Sequence, residues 1–111
     1  MPYKPKQGDI IVMDFNPQSG HEQAGRRPAL VVSSDTFHRY ANGLAVVCPI
    51  TNTLTPFPLH IALDGRTQTT GVIMCEQVKA LDVSARRAER RETLPEELLE
   101  TALQMVTAIF G

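Results

Sequence analysis

Residues 28–51 read PALVVSSDTFHRYANGLAVVCPIT. Two apolar runs, Pro28–Val32 and Leu44–Ile50, flank a short polar segment, and runs of this length rich in valine read as strands. Between them, Asp35–Tyr40 suits a single helical turn capped by Ser34 or Asp35. Asn42-Gly43 supplies hairpin-type turn chemistry, and Pro49 marks the end of the second run. Turns of this kind favour antiparallel pairing.

Outward from this pair the same signals repeat. Asp9–Phe15 is an apolar strand, followed by turn residues from Asn16 to Gly20. Phe57–Leu63 alternates, with Phe57, Leu59, Ile61 and Leu63 on one side and His60 expected to face solvent. Gly71–Cys75 is a further strand that Gln77–Leu81 extends. The last segment is helical. Thr93-Leu94-Pro95-Glu96 has the form of a capping box, and the apolar positions from Leu98 to Phe110 recur at helical spacing and are expected to pack on the sheet. The reading is a mainly β (α+β) protein: a small β-barrel or strongly bent sheet with a C-terminal α-helix.

The chain has 111 residues, 42% of them hydrophobic and 21% charged, values that fit one ordinary globular domain over 1–111. So short a chain builds a thin core, which dimerisation would reinforce. No apolar run approaches the ~18 residues of a membrane span. The polar start, Met1–Lys6, does not read as a secretory signal, so a cytoplasmic location is the default expectation. Cys48 and Cys75 each lie inside an apolar run and read as reduced core residues. Neither they nor the scattered His21, His38 and His60 have metal-ligand spacing, and no cofactor is expected. Net charge is −1. Residues 89–111 carry five Glu against two Arg, whereas residues 1–88 carry nine Lys or Arg against seven Asp or Glu. That balance permits a local phosphate site but not a broad non-specific DNA-binding surface.

Two polar loops at strand ends carry the useful chemistry: Gly20-His21-Glu22-Gln23-Ala24-Gly25-Arg26-Arg27-Pro28 and Pro49-Ile50-Thr51-Asn52-Thr53. Together with Gly8-Asp9-Ile10-Ile11, Cys48-Pro49-Ile50-Thr51 and Glu76-Gln77-Val78-Lys79, in that order, they resemble the signature set of the MazF/PemK (Kid) toxins from about residue 8 to the end. The Glu-Gln-x-Gly-x-Arg-Pro segment is the most specific element.

The resemblance implies an SH3-like barrel of five to seven antiparallel strands with a C-terminal helix. It also implies sequence-specific, metal-independent cleavage of single-stranded RNA (mRNA). Attack by the 2′-hydroxyl leaves a 2′,3′-cyclic phosphate and a 5′-hydroxyl. The family's catalytic arginine falls on Arg27 and its threonine on Thr51. Because the nucleophile belongs to the substrate, such an enzyme has to align it and stabilise charge on the phosphoryl oxygens. A guanidinium fork and a neutral hydroxyl donor suit that task. A guanidinium with pKa above ~12 is a reluctant base, which leaves His21, with an imidazole titrating near ~6.5, as an alternative proton carrier. Many relatives have serine there.

Glu22 and Gln23 match family positions lining the RNA groove, and Glu22 can instead orient the Arg27 guanidinium. Arg26 steers phosphate or is simply solvated. Asn52 lies in the second loop. Glu76 and Gln77 match positions near the bases, where their polar groups can read base edges, and Phe57 stacks on a base or joins the core. Arg86, Arg87, Arg90 and Arg91, interleaved with Glu89 and Glu92, attract phosphate or form a solvated face.

The resemblance further implies a homodimer with the RNA groove around its interface. It implies a cognate MazE-like antitoxin whose disordered acidic segment fills that groove, with operon DNA contacted only through the antitoxin. A second reading is a non-catalytic, CcdB-like gyrase-poisoning toxin of the same fold. It is disfavoured because the ending Ala108-Ile109-Phe110-Gly111 does not read as an exposed aromatic tail. A third is an inactive SH3-like binding module. If His21 carries the proton, His21→Ser removes the limb of the pH–rate profile near pH ~6.5; an unchanged profile excludes it.

Overall fold

A computed structural model describes residues 3–15, 25–53 and 57–111. Seven strands and two helices follow in order: β1 (Asp9–Asp14), β2 (Arg26–Val31), α1 (Asp35–Tyr40), β3 (Leu44–Thr51), β4 (His60–Ala62), β5 (Val72–Met74), β6 (Lys79–Asp82), β7 (Glu89–Thr93) and α2 (Glu96–Ile109), with a 3-10 turn at Cys75–Gln77 between β5 and β6. Every strand pairing is antiparallel. The sheet runs β4-β5-β3-β2-β1-β7, with β6 also beside β3.

The eight-residue β3 organises this sheet. One edge pairs with β2. The other pairs first with β6, Leu44–Val47 against Lys79–Asp82, and then with β5, Ile50–Thr51 against Val72–Ile73. The 3-10 turn is the step between those two partners. Strand alternation then gives each face its own core. Leu30, Cys48 and Ile50 point to the side where α2 packs, in one cluster with Ile10, Ile73 and Ala102. Ala29, Val31 and Val47 point the other way and join Ile11, Met13 and Val83 in a second cluster. The result is the barrel-like bent sheet with a C-terminal helix that the sequence implied.

Several expectations need correction. β7 was not anticipated, because Glu-Arg-Arg-Glu-Thr has no apolar residue to betray a strand. It forms because β1 supplies a pairing partner and its charges find polar ones: Arg90 reaches the buried Asp9 at 3.3 Å, and Glu92 accepts from the Thr69 N–H at 2.8 Å. Burial opposes the charge of Glu92, yet hydrogen bonds from Thr69 and Gln68 overcome it and hold the carboxyl below its usual range. The capping box is absent. Pro95 occupies the N-cap with no side-chain bond, while Thr93 ends β7 and accepts from Arg90. The Ser34 cap of α1 is present, its hydroxyl accepting from the Phe37 N–H at 3.1 Å. The strand expected over Phe57–Leu63 contracts to His60–Ala62.

The apolar stripe of α2 packs through Leu98, Leu99, Ala102, Leu103 and Val106 but runs past the sheet. Phe110 is 77% exposed, so the tail is an exposed aromatic one after all. Among the described residues, no helix is long and apolar enough to cross a membrane. Leu30 is fully buried at the centre of the α2-side cluster, and Leu30→Ala should lower unfolding stability by about 3 kcal/mol in urea titration. A loss below about 1 kcal/mol would contradict its place in that core.

Candidate functional site

The site begins with the register between β2 and β3, in which Ala29 faces Pro49, Leu30 faces Cys48 and Val31 faces Val47. The Val32 N–H bonds the Val46 carbonyl at 2.9 Å, so hydrogen-bonded sites recur at Leu30–Cys48 and, in step, at Pro28–Ile50. Pro28 has no N–H to give, and the ladder lapses there. The pairing ends at Ala29–Pro49; its register, continued two residues beyond that end, aligns Arg27 with Thr51. Residues 24 positions apart in sequence are thus carried to adjoining ends of β2 and β3, on one face by strand alternation.

That face is the one that buries Ala29, Val31 and Val47, and its apolar packing ends at this pair. Arg27 partners the buried Met13 on its other side and is itself half-buried. Its Nε is buried and has no hydrogen-bond partner among the described residues. The Thr51 hydroxyl accepts from the Thr53 N–H at 3.1 Å, so its own proton is left to donate outward. Asn52 is exposed, and its Oδ1 accepts from the Thr70 hydroxyl at 3.0 Å, leaving the amide N–H groups available.

Gly71 makes this corner possible. Its φ is +113°, and a Cβ there would stand 2.3 Å from the Thr51 carbonyl oxygen and 3.1 Å from Asn52 Oδ1. Only glycine lets β5 approach the Thr51 backbone so closely.

The face continues across the sheet. Opposed residues Thr51, Val72 and Ala62 carry the Arg27 row over β3, β5 and β4. The next row on the same face holds Met74 and His60. His60, expected to face solvent without a role, instead has a side chain only 11% exposed, with Nε2 at 2.9 Å from Glu76 Oε2. The pair forms because the 3-10 turn brings Glu76 beside β4. Phe57 is 44% exposed, with its ring centroid 5.3 Å from that of His60, and so is not a core residue. Gln77 is exposed on the same 3-10 turn.

Lys79, singled out only as part of a motif, also shares the Arg27 face through its pairing with Val47, and its Nζ stands 5.6 Å from the Phe15 ring centroid. Its only sequence signal was the Glu-Gln-Val-Lys string.

Arg26 points elsewhere. Its guanidinium meets Asp14 at 3.1 Å, the Val12 carbonyl at 3.2 Å and the Arg87 carbonyl at 2.8 Å. Arg86 and Arg87 likewise engage Asp14, through its carbonyl at 3.3 Å and its carboxylate at 3.7 Å. Cys48 and Cys75 are free and buried, and the hydrogen bond between them together with burial pushes the Cys48 thiol far up. His21, Glu22 and Gln23 lie outside the described residues. Among the described residues, no group of three or more His, Cys, Asp or Glu is disposed to hold a metal ion.

The family described as "PemK-like, MazF-like toxin of type II toxin-antitoxin system" matches residues 6–110. The chain belongs to this family. Among its relatives, the endoribonuclease PemK of Escherichia coli is 35% identical over 108 residues, covering 94% of this chain and 80% of that protein. The endoribonuclease toxin MazF of Escherichia coli K12 is 33% identical over 109 residues, covering 98% and 96%. Of the solved structures, MazF from Deinococcus radiodurans matches with a TM-score of 0.86 at 33% identity over 98% of both chains, and a MazE-MazF structure from that organism matches with 0.86 at 33% over 98% and 97%. Membership in the MazF/PemK family sets aside the CcdB-like reading despite the exposed Phe110. Gly71→Ala should displace Thr51 by an ångström or so and reduce RNA cleavage about a hundredfold with the circular dichroism spectrum retained. Undiminished cleavage would show that Thr51 is not held by this contact.

Proposed function

We propose that this chain is a toxin endoribonuclease that cuts single-stranded RNA without a metal ion, using the substrate's own 2′-hydroxyl as nucleophile. What supports the reading is the register of β2 against β3, which, continued past Ala29–Pro49, aligns Arg27 with Thr51 on one face. The Arg27 guanidinium offers charged, directional donors to the phosphoryl oxygens through its terminal N–H groups. The Thr51 hydroxyl, fixed from behind by the Thr53 N–H, donates one more bond to the charge that develops in the transition state. Donors held in place before reaction cost no reorganisation when the phosphorane forms. The bond from phosphorus to the 5′-oxygen then breaks and leaves a 2′,3′-cyclic phosphate and a 5′-hydroxyl.

RNA lies along the face from Arg27 towards Phe57, with Asn52, Glu76 and Gln77 contacting bases and Glu22 and Gln23 completing the groove. His21 remains the alternative proton carrier. Arg26 is best supported as a tie between β1, β2 and the segment before β7, given its contacts with Asp14, Val12 and Arg87. The working unit is the single domain over 1–111, in the cytoplasm, as a homodimer with the groove around its interface. Exposed apolar side chains such as Tyr40 and Phe110 are consistent with a partner. An antitoxin with an acidic, disordered segment suits a groove holding Arg27. Any contact with operon DNA runs through that antitoxin.

Purified protein incubated with a long defined RNA in EDTA should give fragments with 5′-hydroxyl ends. Arg27→Ala should abolish them, and Thr51→Ala should slow cleavage about a hundred- to a thousandfold, both with native circular dichroism. Persistent cutting by Arg27→Ala would refute the site, and loss of all cutting in EDTA would refute the metal-free reaction.

A further inference from the structure

We propose that Lys79 holds a second phosphate of the RNA, one that flanks the phosphate cut beside Arg27 and Thr51, and so positions the strand without reading its sequence. The inference rests on the reading above, in which RNA lies on the Arg27 face. Lys79 opens β6 and pairs with Val47 of β3. Leu81, two positions on, packs in the cluster of Val31 and Val47, so strand alternation puts Lys79 on that face too. Thr51 is four residues further along β3 than Val47, ~13 Å at ~3.3 Å per residue. That separation suits a neighbouring phosphate rather than the one being cut.

Phe15 sets the direction of the ammonium. Nζ stands 5.6 Å from the Phe15 ring centroid, within the range over which an aromatic face attracts a cation. Phe15 packs against the same cluster, and its N–H bonds the carbonyl of Gly25, two positions before Arg27, at 3.1 Å. The contact thus draws the lysine from β6 towards the strand end that carries Arg27. Other cations near this end are engaged elsewhere: Arg26 and Arg87 meet Asp14, and Arg90 meets Asp9. Lys79 is exposed and has no ion-pair partner among the described residues. An ammonium is a compact charge with three rotatable donors, suited to a phosphate oxygen rather than to the fixed pattern of a base edge. Contacts of that kind set the register of a nucleic acid and carry no sequence information.

The test uses short RNAs that carry a cleavage site mapped by sequencing the 5′ ends of products. In each, a single phosphate flanking the cut is replaced by a neutral methylphosphonate, with the adjoining 2′-hydroxyl methylated to keep that linkage intact. On unmodified RNA, Lys79→Gln should lower kcat/KM about tenfold, mainly through KM and with kcat within about twofold. Neutralising one particular flanking phosphate should cost the wild type about the same, and on that RNA Lys79→Gln should cut as well as the wild type. Lys79→Gln should also flatten the slope of log kcat/KM against log salt by about 0.7, as for one lost phosphate contact to a single strand, and Lys79→Arg should restore it. If the losses multiply at every flanking phosphate, or Lys79→Gln cuts unmodified RNA like the wild type at all salt concentrations, Lys79 holds no phosphate and the proposal falls. Failure of the wild type to cut any RNA overturns the endoribonuclease reading itself, a result distinct from both.

Discussion

The antiparallel register between β2 and β3 governs the rest of the molecule. It sets Leu30 against Cys48 on the face that α2 covers and Ala29 against Pro49 on the other. A slip of one residue would exchange the two faces and drive Arg27 into the helix-covered core. The register is therefore fixed by hydrophobic burial at the middle of the strands, and the polar pair at their ends inherits its position. Pro28 adds a local effect: with no N–H it gives no bond to β3, and the pairing ends next to Arg27.

Around that ladder, polar contacts fix individual groups. Gly71 lets β5 come against the Thr51 carbonyl, Thr53 orients the Thr51 hydroxyl, and Thr70 holds Asn52. Elsewhere in the sheet, Asp14 gathers Arg26 and Arg87, while Asp9 takes Arg90. The arginines near β7 thus act mainly as ties for a strand with no apolar residues, while Arg27 and Lys79 share the other face of the sheet. A modest net charge of −1 is compatible with such a division, because the site needs few cations if they are held in place.

What was legible in the sequence was what burial writes there. The valine-rich strands β1, β2 and β3, the Ser34-capped turn and the amphipathic α2 all carried apolar periodicity or a local side-chain bond. β7 did not, since its order comes from pairing with β1 and from ion pairs 81 residues apart in sequence, as between Asp9 and Arg90. The 3-10 turn was also invisible, and with it the meeting of His60 and Glu76, 16 positions apart. Arg27 and Thr51 could be named from the family resemblance alone. Their convergence needed the register, which no single segment encodes.

The account stands on these two side chains acting together on one phosphodiester, and a double-mutant cycle on cleavage tests this most directly. Rates in EDTA for Arg27→Ala, Thr51→Ala and the double variant, each with a native circular dichroism spectrum, give the coupling between them. A shared transition state predicts that the double variant is far less impaired than the product of the two single losses. Losses that simply multiply would mean that the two residues act independently and not on one shared transition state.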